Sequence, residues 1–100
     1  MKDASTPVRR PGVSWDYKID DLALRELRDL GPSGARTIRD FLESRIKGCA
    51  DPRAFGKPLR GGMHGLWRYR VQDYRLICEL LDGELIVIVV KAGHRSKVYK

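Results

Sequence analysis

Three arginines lie in the segment 65–78, two of them at alternate positions, and most of the other positions are apolar. Arg68 and Arg70 share one face of a predicted strand, and Arg75 falls on the same face after a short turn at 72–73. If that turn has two loop residues, Arg70 lies directly opposite Arg75, and such a like-charge pair costs about 0.2–1 kcal/mol of stability. A chain that keeps this repulsion has a use for it, so the pattern predicts a surface that binds a polyanion. The alternative is a set of ordinary solvent-facing strand residues.

The positive charge of this chain of 100 residues is concentrated in its C-terminal half. The formal net charge is +7, of which residues 53–100 carry +6 and residues 1–52 carry +1. A basic half that also has strand patterning is typical of nucleic-acid binding. A basic surface that serves only solubility is the alternative on composition alone. The length indicates one domain with a modest core.

The remaining composition excludes several classes of protein. Cys49 and Cys78 have no metal-ligand spacing, and Cys78 fits a small buried hydrophobe in a reducing compartment, although the two could pair. The N-terminus lacks the apolar segment of a secretory signal, and the longest apolar run, 85–90, is too short to span a membrane. Paired carboxylates, metal-ligand clusters and a nucleophile–His–Asp set are also missing from the pattern. We therefore expect a soluble intracellular protein that needs no cofactor.

The first half of the chain predicts one strand and two helices after a flexible leader at 1–12. Residues 13–19 alternate as a strand does, and 22–30 follow helical spacing after an aspartate that can cap a helix. A Gly-Pro pair at 31–32 stops this helix. A second helix, with a serine N-cap, runs from 33 to about 47 and ends at a glycine.

The second half predicts a loop and three strands. Residues 55–65 contain too many glycines for a helix and lead into the arginine strands. An Asp-Gly pair at 82–83 predicts a two-residue hairpin, and 85–90, apolar on both faces, predicts a central strand covered on both sides. The order β-α-α-β-β-β predicts an α+β fold in a single domain, 13–100. Its N-terminal helical hairpin packs on a mostly antiparallel four-stranded sheet.

An ordered set of short motifs resembles the RelE/ParE toxin superfamily, with the RelE-type branch as the closer match. The motifs lie between about Val13 and Tyr99 and are Lys57-Pro58-Leu59-Arg60-Gly61, Gly65-Leu66-Trp67-Arg68-Tyr69-Arg70-Val71, Asp73-Tyr74-Arg75-Leu76-Ile77, Gly93-His94-Arg95 and Val98-Tyr99. Each motif alone is weak evidence, whereas the whole set at these spacings is specific. The resemblance implies a RelE-like fold, similar to that of microbial ribonucleases.

The resemblance also implies a function and partners. RelE-type members are toxins of type II toxin–antitoxin systems that cleave messenger RNA in the A site of the 30S ribosomal subunit, which implies a cytoplasmic protein. A cognate antitoxin, RelB-like or similar, wraps and neutralises them, and operator DNA is contacted only through the toxin–antitoxin complex. ParE-type relatives share the fold but inhibit DNA gyrase, so a non-nuclease toxin is the alternative. A plain RNA- or DNA-binding module is a second alternative.

Candidate site residues carry over by position from the RelE-type pattern. Arg68 and Arg70 stand where that pattern has two basic residues on one strand, and Arg75 stands at its phosphate-binding arginine. Arg95 matches the basic residue after the last strand, and Tyr99 matches the aromatic residue near the C-terminus. The resemblance therefore implies that these residues contact the RNA.

One departure from that pattern concerns the general base. Where the best-known pattern has lysines, this chain has Arg68 and Arg70, and arginine is a poor base because its pKa lies above about 12. Some relatives carry a catalytic histidine near the position of His94, and an unperturbed histidine pKa of about 6.5 allows proton transfer at neutral pH. His94 is thus a candidate acid or base, with a solvent-exposed tail histidine as the alternative.

Metal-independent RNA cleavage uses the neighbouring 2′-OH as the nucleophile and needs cations that stabilise a phosphorane. Arginine suits this role, because its planar guanidinium binds two phosphate oxygens and stays charged. Arg68, Arg70 and Arg75 are the predicted phosphate cradle, and Arg95 is predicted to stabilise the leaving oxygen. Tyr99 could orient the 2′-OH, stack on a base or donate a proton, or it could be a core or interface tyrosine.

Further cations are candidates for contacts to ribosomal RNA or to the antitoxin. Such contacts add non-specific attraction more often than specificity. Trp67 and Tyr69 alternate with the arginines, so we expect them to pack in the core rather than to stack on bases. The candidate cations are Lys57, Arg60, Lys97 and Lys100.

Overall fold

The computed structural model describes residues 14–59 and 65–96, and it has the predicted α+β order with one additional strand. The elements are β1 (Asp16–Ile19), α1 (Asp21–Asp29), α2 (Gly31–Phe41), a π-helical turn (Leu42–Ile46), a 3-10 turn (Pro52–Phe55), β2 (Lys57–Pro58), β3 (Leu66–Val71), β4 (Tyr74–Leu81) and β5 (Ile86–His94). The five strands lie in the order β1-β5-β4-β3-β2, and every neighbouring pair is antiparallel except β1 and β5.

The two helices form because apolar residues recur on one side of each. Ala23 and Leu27 of α1, and Ile38 of α2, are buried and join one core with the sheet. The helices follow each other directly, because Gly31, with a φ of +86°, begins α2 and is followed by a proline that fits the first turn of a helix. The predicted serine N-cap is therefore wrong, because α2 begins two residues earlier and has no side-chain cap.

The end of the second helix also differs from the prediction of a regular helix to about residue 47. The last turn widens into a π-helical turn, in which Lys47 N–H donates to the Leu42 carbonyl over 2.9 Å. Leu42 and Ile46 are both fully buried. Gly48, with a φ of +82°, ends the turn, and its N–H donates to the Trp15 carbonyl over 2.7 Å. This bond joins the end of the helical region to the start of β1.

The hairpin between β3 and β4 has the predicted register. Its turn consists of Gln72, with a φ of 56°, and Asp73, so Val71 pairs with Tyr74 and Arg70 pairs with Arg75. The next hairpin is longer than the predicted two residues. Leu81 pairs with Ile86, which leaves a four-residue turn closed by Glu84 N–H donating to the Leu81 carbonyl over 3.1 Å.

One face of the sheet packs on the helices, and we call it the helix face. Its fully buried residues join the residues of α1 and α2 in one core, whereas Ile77 is buried at 5% exposure but lies outside that core, on the opposite face. The prediction that 85–90 is covered on both sides is wrong for the described part of the chain: Val87 and Val89 are fully buried, but Ile88 and Val90 are only half-buried. The fully buried residues of the helix face are Tyr69, Leu76, Cys78, Val87 and Val89.

Candidate functional site

Four cationic residues share the sheet face that is turned away from the helices, which we call the arginine face. Arg68 and Arg70 are two residues apart on β3, and therefore lie on the same face. Arg75 on β4 lies opposite Arg70, and Lys57 on β2 lies opposite Arg68. Directly opposite residues of an antiparallel pair point to the same side, so three neighbouring strands place positive charge on one surface.

A pocket of about 230 Å³ lies at the β2 edge of this face. Arg68, Arg70 and Lys57 supply its charge, and Phe55, a residue that is 37% exposed, supplies an aromatic side chain. Ala54 and Gly56 complete the lining. No sequence pattern predicted a role for Phe55, whose available signal was its position just before Gly-Lys-Pro.

Gly56 sets the distance between the 3-10 turn and β3. A Cβ atom at this position would lie 2.2 Å from the Arg68 carbonyl oxygen and 2.8 Å from both Trp67 Nε1 and Tyr69 Cδ1. Real Cβ atoms do not approach backbone so closely, so only glycine fits here without displacing the strand. Gly56 thereby allows Phe55 and Lys57 to lie beside the arginines of β3.

The 3-10 turn that carries Phe55 is anchored to three side chains outside it, which are Tyr69, Asp82 and Trp67. Tyr69 OH, which is buried, donates to the Pro52 carbonyl over 2.9 Å. Arg53 forms two hydrogen bonds of 2.8 and 2.9 Å with Asp82, and its guanidinium lies 5.6 Å from the centre of the Trp67 ring. The hydrogen bonds from Arg53 hold the pKa of Asp82 below its usual range. The pocket wall is thus fixed to the strand core and to the β4–β5 turn.

The Arg75 side chain is held at the hairpin turn. Its Nη1 donates to the Gln72 carbonyl over 3.0 Å and to the Tyr74 carbonyl over 2.8 Å. Arg75 is half-buried and does not line the pocket formed by Arg68 and Arg70. The residue opposite Arg75 on β5 is Gly93, which has no side chain to cover it. The structure therefore brings Arg75 to the same face as the other arginines, next to Arg70 and outside the pocket.

Arg95 is the first residue after β5, at the end of the sheet where the β3–β4 turn lies. Its N–H donates to the Asp73 carbonyl over 2.8 Å, so its backbone is fixed to the turn between Arg70 and Arg75. The side chain of Arg95 is exposed. Among the predicted residues outside the arginine strands, the described structure thus brings Lys57 to the arginine face and the Arg95 backbone to the hairpin turn beside it.

The position of His94 differs from the expectation that it reaches the arginines. It pairs with Tyr74 on the helix face, and the two rings lie 6.2 Å apart at 87°. A register shift in the β4–β5 ladder causes this placement: Cys78 pairs with Val89 and Ile77 with Lys91, which leaves one extra residue in β5 and reverses the alternation beyond it. His94 Nδ1 accepts a hydrogen bond from the Ser96 N–H over 3.3 Å. The described arrangement thus separates the predicted proton carrier from the phosphate cradle.

The remaining predictions have mixed outcomes. Trp67 and Tyr69 belong to the core or pack against it, as expected from their alternation with the arginines. Cys78 is fully buried, which raises the pKa of its thiol. The predicted leader 1–12 lies outside the described residues, and so do the candidate residues Arg60, Lys97, Tyr99 and Lys100.

The described arrangement is suited to binding phosphate. Guanidinium and ammonium groups on adjacent strands offer donors that match phosphate oxygens, and an aromatic ring beside them offers a stacking surface. Within 14–59 and 65–96, no group of three or more His, Cys, Asp or Glu side chains is arranged to hold a metal ion. In the same two ranges, no helix has the length and apolar character required to cross a membrane.

Curated relatives align with most of this chain. The toxin RelG of Mycobacterium tuberculosis is 25% identical over 88 residues, which are 88% of this chain and 99% of the relative. The mRNA interferase toxin RelE of Escherichia coli is 29% identical over 92 residues, covering 87% of this chain and 92% of the relative. Both relatives therefore match along nearly their whole length.

Solved structures show the same fold. The toxin–antitoxin complex RelBE2 from Mycobacterium tuberculosis contains a chain that matches with a TM-score of 0.75 and 26% identity, covering 83% of this chain and all of that one. The archaeal RelE–RelB complex from Pyrococcus horikoshii matches with a TM-score of 0.59 and 25% identity, covering 85% and 99%. These matches confirm the RelE-like fold that the motifs implied.

The family model described as the ParE toxin of the type II toxin–antitoxin system parDE matches residues 17–99. It spans both helices, the sheet and the arginine face. The chain thus belongs to the ParE toxin family, within the RelE/ParE superfamily, and is a toxin of a type II toxin–antitoxin system.

Proposed function

We propose that this toxin is a ribosome-dependent endoribonuclease that cleaves messenger RNA in the A site and thereby stops translation in the cytoplasm. The observation that carries the proposal is the shared face of Lys57, Arg68, Arg70 and Arg75, which the strand register fixes. A gyrase inhibitor needs no such phosphate-binding set. The similarity to an mRNA interferase from Escherichia coli supports the same choice.

In the proposed reaction, the ribose 2′-OH attacks the adjacent phosphorus without a metal ion. The 2′-OH loses its proton to solvent water, the bond to the 5′-oxygen breaks, and that oxygen takes a proton from solvent, which leaves a 2′,3′-cyclic phosphate and a free 5′-OH. Arg68, Arg70 and Arg75 stabilise the negative charge of the phosphorane. Arg95, whose backbone lies beside the β3–β4 turn, stabilises the leaving oxygen. Tyr99 is the proposed partner of the 2′-OH or of a base.

Proton transfer is the step that the described residues serve least. Arginine stays protonated, and His94 lies on the helix face beside Tyr74. We therefore propose that the enzyme works mainly by positioning the 2′-OH and stabilising the phosphorane, and that His94 contributes less than the arginines. Positioning alone can supply a large part of a rate enhancement.

The proposed partners are the ribosome with its mRNA and a cognate antitoxin. Complexes such as RelBE2 and the archaeal RelE–RelB pair support an antitoxin that folds over this toxin. The charge of the arginine face favours an antitoxin segment that carries carboxylates, because these would neutralise Arg68, Arg70 and Arg75. Lys57, Arg60, Lys97 and Lys100 are proposed to add attraction to ribosomal RNA. Operator DNA is contacted only through the toxin–antitoxin complex.

A second candidate function is the inhibition of DNA gyrase. The specific observation in its favour is the family match, because the model that covers 17–99 is named for ParE. The discriminating experiment is induced expression followed by mapping of mRNA 5′ ends. Arg70→Gln is the test variant, and Arg36→Gln, at an exposed position of α2, is the control. New ends within translated codons, present with the control and lost with Arg70→Gln, are the expected result. Arrested growth with intact mRNA and DNA damage would overturn the nuclease in favour of the gyrase inhibitor.

A further inference from the structure

We infer that Phe55 is a base-stacking residue, and that the pocket it shares with Arg68 and Arg70 holds one unstacked base of the RNA substrate. The inference rests on the proposed function and adds a recognition residue that the phosphate cradle does not include. Phe55 and Leu22 are the exposed large hydrophobic residues in the described part of the chain. Phe55 is the one that lines a pocket with cationic side chains.

The environment of the Phe55 ring fits a nucleobase. The Arg45 guanidinium lies 6.0 Å from the ring centre, and this cation–π contact holds the ring while leaving 37% of the residue exposed. Arg68, Arg70 and Lys57 border the same space, so a base on the ring would have its own phosphates within reach of these cations. Sites for single-stranded nucleic acids usually combine aromatic rings that stack on bases with a positively charged groove that follows the phosphate backbone.

The size and charge of the pocket favour RNA over a protein side chain or a large cofactor. Its volume of about 230 Å³ lies below the roughly 300–1,000 Å³ of pockets that hold drug-sized molecules. The described lining contains three cations and no carboxylate. A single planar base flanked by phosphates satisfies both properties.

The pocket is built into the fold rather than formed by a loose loop. Gly56 brings Phe55 against β3, and the buried Tyr69 OH fixes the 3-10 turn through the Pro52 carbonyl over 2.9 Å. Arg53 ties the same turn to Asp82 through two hydrogen bonds. A preformed site of this kind binds with less loss of conformational entropy.

The test is fluorescence anisotropy with two short labelled probes at low salt: a 2′-O-methyl RNA, which lacks the nucleophile, and an abasic 2′-O-methyl strand of the same charge. Phe55→Leu is expected to weaken binding of the RNA by roughly five- to a hundredfold, the usual effect of losing one stacked base, and to leave binding of the abasic strand unchanged. Phe55→Trp is expected to keep or improve RNA binding. Leu22→Ala, on distant α1, serves as the control.

Separate outcomes test the two proposals. Arg70→Gln is expected to weaken binding of both probes, since it removes a contact to phosphate. If Phe55→Leu binds both probes as the unaltered protein does, the stacking role is wrong, and the pocket serves another partner such as an antitoxin side chain. If the unaltered protein binds neither probe, the stacking inference is overturned, whereas the proposed ribosome-dependent nuclease stands or falls separately with the mapping of mRNA 5′ ends.

Discussion

Arg70 and Arg75 lie directly opposite each other in the β3–β4 ladder, on the sheet face turned away from the helices. The Gln72–Asp73 turn fixes this register, and the Arg75 guanidinium donates two hydrogen bonds to carbonyl oxygens at that turn. Arg70 is exposed. A folded protein that keeps two guanidinium groups in this position carries a repulsion that a bound phosphate would relieve.

Replacement of Arg70 is therefore expected to stabilise the free toxin. Arg70→Gln should raise the free energy of unfolding in urea by about 0.2–1 kcal/mol at low salt, because it removes a directly opposed like charge. The gain should shrink at 1 M salt, where the Debye length falls to about 3 Å. Arg36→Gln on α2 is the control and should give no gain. A loss of stability for Arg70→Gln at low salt would contradict the account.

Replacement of Gly56 is expected to disturb the pocket wall. A Cβ at Gly56 would lie 2.2 Å from the Arg68 carbonyl oxygen, so Gly56→Ala should cost about 1–3 kcal/mol of stability through the displacement it forces. Gly83 has nothing within 4 Å of a built Cβ, so Gly83→Ala should change stability little. Urea denaturation of both variants provides the comparison. Equal stability of the two would show that the close approach at Gly56 is absent.

Glu26 is expected to stabilise the part of β5 that extends past its pairing with β1. Beyond the end of β1, Glu26 Oε1 accepts the Ala92 N–H over 2.9 Å, and its Oε2 lies 3.2 Å from Lys91 Nζ. Glu26→Ala leaves that N–H without its acceptor and should cost about 1–3 kcal/mol. Glu26→Gln keeps an acceptor and loses only a partly exposed ion pair, so its cost should lie between about 0 and 1 kcal/mol. Thermal or urea unfolding of the pair will rank them, and a larger cost for glutamine would refute the assignment.

The pH dependence of stability is expected to change when Tyr17 is replaced. Burial, and then a hydrogen bond to Glu43, raise the pKa of Tyr17 to about 12 from an ordinary value near 10. Because the folded pKa is the higher one, this stabilisation is complete below pH 10 and is lost as the pH rises toward 12. Tyr17→Phe should make the fall in the free energy of unfolding between pH 10 and 12 shallower. The slope should not vanish, since burial also raises the pKa values of Tyr69 and Cys78. An unchanged slope would show that Tyr17 does not titrate with folding.

The arginine face could be predicted from the sequence because strand alternation and a short turn are local. Arg68, Arg70 and Arg75 alternate with residues that are now seen in the core, and this pattern alone determined their common face. The additional strand, β2, was not predictable in the same way. Lys57–Pro58 is two residues long and contains a proline, which strands tolerate mainly at sheet edges.

The pocket and the position of His94 depend on non-local contacts. Phe55 reaches the arginines only because β2 pairs with β3 and Gly56 permits close packing. His94 would share the arginine face if β5 alternated regularly from Ile88. The register shift between these residues turns His94 to the helix face instead, and no local residue pattern predicts that extra residue.

The most direct test of the central claim is the rate at which purified toxin cleaves mRNA on ribosomes programmed with a defined message. We predict that Arg70→Gln is at least as stable as the unaltered protein, yet cleaves about 10²-fold more slowly or worse, the usual effect of losing one donor to a charged transition state. Cleavage by a folded Arg70→Gln protein at the unaltered rate would contradict a phosphate cradle on this face.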